Sequence, residues 1–212
     1  MNNKILDENF DNKSLDSSLK WHSEPSDWYI DEEASQLVVK TTEKTDFWQK
    51  THYGFQADDG HFLFKETKEN FRMTTKLKLI LKNKYDQAGL MIRFSEDMWI
   101  KTSLEYLPDS LSKLGAVVTN QGYSDWSTQL VECEDVVDLY FRVSRIGKNG
   151  YVDYSWDGDN WEQMRITHLH IPDDASIQAG VYVCSPQKGG LEVRYDFLTI
   201  EKLGNDPDEA YL

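Results

Sequence analysis

The chain has 212 residues, 39% apolar and 13% aromatic, with 7 Trp and 11 Tyr, enough packing material for a sizeable core and too much for a disordered chain. Asp and Glu outnumber Lys and Arg by 37 to 23, a formal net charge of −14, which argues against nucleic acid and membrane surfaces as partners because the surface repels phosphate backbones and anionic lipid heads. Residues 1–10 hold no apolar run of signal-peptide length and the only cysteines are Cys133 and Cys184, so a cytoplasmic address is expected, with a bridge between the two thiols optional.

No repeat or linker divides the sequence, so residues 1–203 are expected to form one domain, followed by an acidic tail over residues 204–212. The Asn12-Lys13-Ser14 triplet has the form of a glycosylation acceptor, a pattern that arises often by chance. Asp58-Asp59-Gly60 reads as a turn. From Phe71 to Leu81 the chain alternates: Phe71, Met73, Thr75, Leu77, Leu79 and Leu81 share one face, and Arg72, Thr74, Lys76 and Lys78 the other. That is the period of a half-buried antiparallel strand, broken by Ile80 alone. Ala88, Leu90, Ile92 and Phe94 repeat the pattern, then Ile100, Thr102, Leu104 and Tyr106, then Leu139, Phe141 and Val143. Gly147 to Gly150 marks a turn, and Asp157-Gly158 a hairpin between the strand Tyr151 to Trp156 and the segment from Trp161. Ile177, Ala179, Val181 and Val183 complete the series. No window shows a capped apolar stripe of helical period, so helices are expected to be short and peripheral, and the fold to be two packed antiparallel sheets.

Seven segments are specific as a set: Thr45-Asp46-Phe47-Trp48-Gln49, His52-Tyr53-Gly54-Phe55, Gly60-His61-Phe62, Tyr85-Asp86-Gln87-Ala88-Gly89-Leu90-Met91, Trp99-Ile100-Lys101, Val117-Val118-Thr119-Asn120 and Ser124-Asp125-Trp126-Ser127. Together they resemble an uncharacterised domain family that includes the fungal regulator of enolase, over most of the chain. The resemblance implies the concanavalin A-like lectin and glucanase fold, an all-β jelly roll, in which an antiparallel β-sandwich carries few short helices. It also implies a partner in sugar metabolism, a glycolytic enzyme. It carries over no catalytic residues.

Sugar-binding members of that fold use the groove of the concave sheet, so the side chains opposite the core set are the candidates. Alternation places Gln87, Met91 and Arg93 outward on one strand and Trp99, Lys101, Ser103 and Glu105 outward on the next, with Asn120 near a strand end. Amides, carboxylates and guanidinium groups suit sugar hydroxyl pairs, and indoles suit sugar C–H faces, which singles out Trp99 and Trp126 for stacking. Trp48 and His52 share one side of a short extended segment and are placed at the rim; Arg142 and Tyr182 rank second. Each residue taken singly also reads as an ordinary solvated or packing group. The grouping of Trp, Met, Arg, Gln and Glu on adjacent strands is what points to a ligand.

The acidic run of glucanases, Glu-x-Asp-x-x-Glu, is absent. Glu105 with Asp86 is the nearest carboxylate pair, and Asp86, at a strand start, reads better as a turn residue. His168 and His170 lack a carboxylate or cysteine at zinc-like spacing, so no metal is expected, and without a phosphate loop or nucleophile elbow no cofactor either. The expectation is a non-catalytic module that recognises a carbohydrate or other polar small molecule through Trp48, His52, Gln87, Arg93, Trp99, Lys101, Glu105, Asn120 and Trp126. A regulatory protein-interaction role in sugar metabolism and a glycoside-acting enzyme built on Glu105 are the alternatives.

Overall fold

The computed structural model describes residues 3–211, which form seventeen strands and one 3-10 turn. The first strands are short: β1 (Lys4–Glu8), β2 (Lys20–His22), β3 (Asp27–Asp31), β4 (Gln36–Lys40), β5 (Phe47–Gln49) and β6 (Gln56–Asp58). Longer ones follow: β7 (His61–Thr67), β8 (Phe71–Ile80), β9 (Gln87–Ser95), β10 (Met98–Glu105), β11 (Ser112–Asn120) and β12 (Tyr123–Val131). The last are β13 (Val136–Ile146), β14 (Asn149–Ser155), β15 (Glu162–His168), β16 (Ile177–Cys184) and β17 (Glu192–Lys202). Their pairings are antiparallel. One sheet runs β15-β14-β13-β8-β17-β4-β3, with β1 along β17; the other runs β12-β11-β10-β9-β16-β7-β2. Neighbours such as β8 with β17 and β9 with β16 are distant in sequence, because the chain crosses between the sheets of a jelly roll.

The sheets face each other over one core because both obey the strand alternation. Phe71, Met73, Leu77 and Leu79 of β8 and Leu139, Phe141 and Val143 of β13 meet Leu90 and Ile92 of β9, Ile100 and Leu104 of β10, and Val181 and Val183 of β16. Thr75 puts a hydroxyl among them. Beside it β17 bulges between Tyr195 and Phe197, and Thr75 Oγ1 donates to the Phe197 carbonyl at 2.6 Å, so neither group is left unsatisfied. Phe94 departs from the expected core face. The β9–β10 register slips between Met98 and Trp99, Phe94 is the unpaired residue there, and it is 38% exposed.

Both thiols are free: Cys133 donates to Ser112 Oγ at 2.9 Å, and Cys184 is buried on the outer side of the second sheet. The acidic segment beyond Leu203 makes the 3-10 turn, Pro207–Tyr211, with Ala210 buried, Tyr211 edge-on to Tyr151 and Arg72 donating to the Glu209 carbonyl. Among the described residues no helix is long and apolar enough to cross a membrane.

The outer faces of the two sheets differ in kind. The first is a field of ion pairs, including Lys78–Asp138, Arg142–Asp153 and Arg194 with Asp31 and Glu192. The second carries another apolar layer, Phe62, Phe64, Met91, Trp99, Val117, Tyr182 and Cys184. Such a layer is stable only when covered. The β5–β6 hairpin covers it.

Candidate functional site

The hairpin is fixed at its centre by one ring. Phe47 is wholly buried, edge-on to Trp99 and Tyr182 with centroids 6.3 and 6.0 Å away. Gly60 makes room for it, since a Cβ there would come within 2.3 Å of the Phe47 ring. At one end Arg93 forks onto Asp58, Nη2 and Nε donating at 2.5 and 3.2 Å. At the other, the Gln49 N–H donates to Ser124 Oγ at 2.9 Å and Trp48 packs edge-on to Trp126. The loop between β5 and β6 reverses through positive φ at Lys50, His52 and Gly54, and the Trp48 indole N–H closes it by donating to the Thr51 carbonyl at 2.9 Å. Replacing Arg93 by Leu should therefore loosen the whole strap, at about 2 kcal/mol. Urea denaturation and faster proteolysis within residues 44–60 would register the change; unaltered proteolysis there would show that Arg93 does not tether the hairpin.

Between hairpin and sheet opens a cleft of about 500 Å3, within the range of small-molecule sites. The sheet contributes Gln87, Lys101, Ser103, Glu105, Lys113, Val117 and Trp126, and the hairpin Trp48, Tyr53, Phe55 and Ala57. Lys44, Asp46, Tyr85, Pro186 and Gln187 complete the lining. The Lys101 ammonium is buried at 2% exposure but matched, donating to Gln87 Oε1 at 3.0 Å and to Asp46 Oδ1 at 3.3 Å. The same Asp46 oxygen accepts the Phe47 N–H at 2.7 Å, so the ion pair and the hairpin anchor hold each other. Gln87 reaches only a weak 3.5 Å contact with the Tyr85 carbonyl through its amide, which leaves N–H capacity facing the cleft.

Glu105 differs from its neighbours. Its carboxylate has no hydrogen bond or close ion pair among the described residues. Burial pushes it up to about 7 from the usual 4.5, while Lys101 and Lys113 pull down and Asp46 pushes up. Lys113 sits opposite Glu105 across the β10–β11 ladder, and its ammonium lies 4.6 Å from the Trp126 ring centroid. Aromatic faces, an amide, a carboxyl group of near-neutral pKa and ammonium groups therefore line one concavity.

Five of the nine residues singled out from sequence line this cleft: Trp48, Gln87, Lys101, Glu105 and Trp126. His52 lies with Thr51, Tyr123 and Asp125 in a shallower depression, which Trp48, Tyr53 and Trp126 share with the main cleft. Trp99 is outward on its strand as expected, yet it offers no stacking face: it is 0% exposed, sealed by Phe47, and its indole N–H donates to the Glu96 carbonyl at 3.0 Å. Arg93 is committed to Asp58 and Gln178. Asn120 is outside the cleft too; its amide donates to the His168 carbonyl and accepts from the His170 N–H, tying the second sheet to the end of β15. Of the second-rank pair, Arg142 lies on the other sheet against Asp153 and Trp161, and Tyr182 is beneath Phe47.

Asp86 serves its turn, accepting from the Lys82 and Asn83 N–H groups and from Ser185 Oγ, so it does not pair with Glu105. The second carboxylate of the cleft is Asp46, which sequence reasoning missed along with Lys44, Tyr53, Phe55, Tyr85 and Lys113. The signal for Asp46 was its place in the Thr45–Gln49 segment; that for Lys113 was its position between Ser112 and Leu114 at the start of an apolar run. His168 and His170 stand ring to ring, with His168 Nδ1 at 2.9 Å from Asn149 Oδ1.

The family described as "Protein of unknown function (DUF1349)" matches residues 21–203. Regulation of enolase protein 1 of Saccharomyces cerevisiae is 34% identical over 175 residues, covering 82% of this chain and 85% of that protein. The crystal structure of a functionally unknown protein from Saccharomyces cerevisiae matches with a TM-score of 0.79 and 32% identity, over 89% of this chain and 98% of that one. The GH43 protein BlXynB from Bacillus licheniformis matches with a TM-score of 0.74 at 15% identity, over 93% of this chain and 39% of that one, a likeness of fold alone.

Proposed function

The chain belongs to the DUF1349 family of proteins of unknown function, and we propose that it is a non-catalytic binding module that takes a carbohydrate or other polar small molecule in the cleft between Trp48 and Trp126. The observation that carries this reading is the pairing of aromatic lining with polar groups that have capacity to spare, the Gln87 amide and the Glu105 carboxyl. A sugar ring has an apolar C–H face for Trp126 or Tyr53 and hydroxyls for Gln87, Ser103 and Glu105. Catalysis by two carboxyl groups is disfavoured because Asp46 is already held by Lys101 and the Phe47 N–H. A cytoplasmic address accords with both thiols being free.

Calorimetry against mono- and disaccharides should give saturable binding at millimolar concentration or below, weakened about tenfold by Trp126→Ala, a loss of about 1.4 kcal/mol. No saturable binding, or binding indifferent to Trp126, would remove the reading. Hydrolysis of chromogenic glycosides by the wild type and not by Glu105→Gln would convert the module into an enzyme.

The yeast relative's name favours a second reading, regulatory contact with a glycolytic enzyme. Tyr53, Phe55 and Tyr123, exposed around the two depressions, are the apolar groups such a contact would cover. Enolase retained by immobilised wild type and released by Tyr53→Ala with Tyr123→Ala supports it; background retention throughout rejects it.

A further inference from the structure

Building on the carbohydrate reading, we propose that the cleft selects an anionic sugar derivative, one that carries a carboxylate or a phosphate, over its neutral parent, with Lys113 and Lys44 as the recognising cations. Three lysines and two carboxylates line the cleft, and Lys101 with Asp46 forms a matched pair at 3.3 Å. That leaves two ammonium groups against Glu105. Neither Lys44 nor Lys113 has an ion pair among the described residues. In a chain with 37 acidic residues, an aromatic cleft lined by three lysines and two carboxylates is a local reversal of the molecule's charge.

The overall charge of −14 does not cancel this reversal. Exposed charges beyond a Debye length of about 8 Å are screened in physiological salt, so groups inside the cleft decide. The position of Lys113 is the telling one. Its ammonium lies over the Trp126 ring, 4.6 Å from the centroid, so an acidic substituent of a sugar packed beside that indole meets Lys113.

Glu105 makes the selection pH-dependent. The charged groups that face it are Lys101, Lys113, Asp46 and Lys84. A ligand anion at Lys113 weakens that lysine's support of the Glu105 charge and adds a like charge, so Glu105 takes up a proton as the anion binds. Affinity for the anion is then full below pH 7 and falls as pH rises through it.

Calorimetry with D-glucuronate, glucose 6-phosphate and glucose, on wild type, Lys113→Met, Glu105→Gln and the exposed-lysine control Lys13→Met, tests the proposal. Both anions should bind about tenfold or more tightly than glucose; preference for one alone still supports the proposal and identifies the acid group. Lys113→Met should erase the preference and Lys13→Met should not. The pH series uses glucuronate, because a phosphate monoester itself titrates near pH 6. Between about pH 6 and pH 8 its affinity for wild type should fall about tenfold, and for Glu105→Gln less than twofold. Glucose bound as tightly as both anions overturns the proposal and leaves the carbohydrate reading standing. Failure of all three ligands overturns both. A preference intact in Lys113→Met overturns the recognition assigned to that lysine, and a flat wild-type pH series overturns the part given to Glu105.

Discussion

Replacing Phe47 by alanine should lower stability by about 3–5 kcal/mol and abolish ligand binding with it. The ring is 0% exposed and touches Trp99, Tyr182 and His22. The hairpin it belongs to pairs with neither sheet, since β5 and β6 hydrogen-bond as strands only to each other. Three-residue strands contribute little by themselves, so the hairpin stays down through Phe47, the Arg93–Asp58 fork and the polar ties at Asp46 and Gln49. Truncating the ring leaves a cavity over Trp99 and Tyr182 and frees the wall that carries Trp48, Tyr53 and Phe55. Urea unfolding reads the global loss, and proteolysis near Tyr53 reads the local one. Phe94→Ala, at a ring 38% exposed, should cost under about 1 kcal/mol and serves as the control. A loss below about 1 kcal/mol for Phe47→Ala with residues 44–60 still protected would show that the polar ties suffice without the ring.

That hairpin is also where sequence reading reached its limit. Alternation along β8, β9 and β10 identified the core face and the outward face, and the outward set Gln87, Lys101 and Glu105 does line the cleft. Outward is not the same as exposed. Trp99 points away from the core and is nevertheless sealed, because the segment around Phe47, far earlier in the chain and too short-stranded to show any period, lies over it. Arg93 met Asp58 and Asn120 met the end of β15 for the same reason: partners distant in the chain leave no trace in local periodicity. Phe94 failed differently, since a bulge shifts one residue against the period and a pattern of four residues cannot reveal it. The resemblance supplied what spacing lacked. Its Thr45–Gln49 and His52–Phe55 segments are the wall of the cleft, although nothing in their own pattern says so.

Glu105→Gln should stabilise the protein at pH 8 by up to about 3 kcal/mol and leave it nearly unchanged at pH 4. In the unfolded chain this glutamate ionises near 4.5; in the cleft burial raises it to about 7, against the pull of Lys101 and Lys113. Below pH 4.5 both states hold the proton and the group contributes nothing to pH dependence. As pH rises from there the unfolded state gives up its proton while the folded state retains it, so folding loses ground until about pH 7, above which the loss is complete. The gap corresponds to about 3 kcal/mol, an upper bound because the side chain is partly open to water. Glutamine keeps the shape and removes the charge, so the two stability curves should meet in acid and separate through neutrality. Urea midpoints at pH 4, 6 and 8 check this, and a variant less stable than wild type at pH 8 would show the carboxylate to be a stabilising partner instead. A binding role gives the same measurement a second arm. If an anionic sugar drives a proton onto Glu105, saturating glucuronate should steepen the decline of wild-type stability between pH 6 and 8, because the bound folded state keeps its proton through that range while the unfolded chain has already released it. The glutamine variant, with no proton to take, should gain the same stabilisation from glucuronate at both ends of that range.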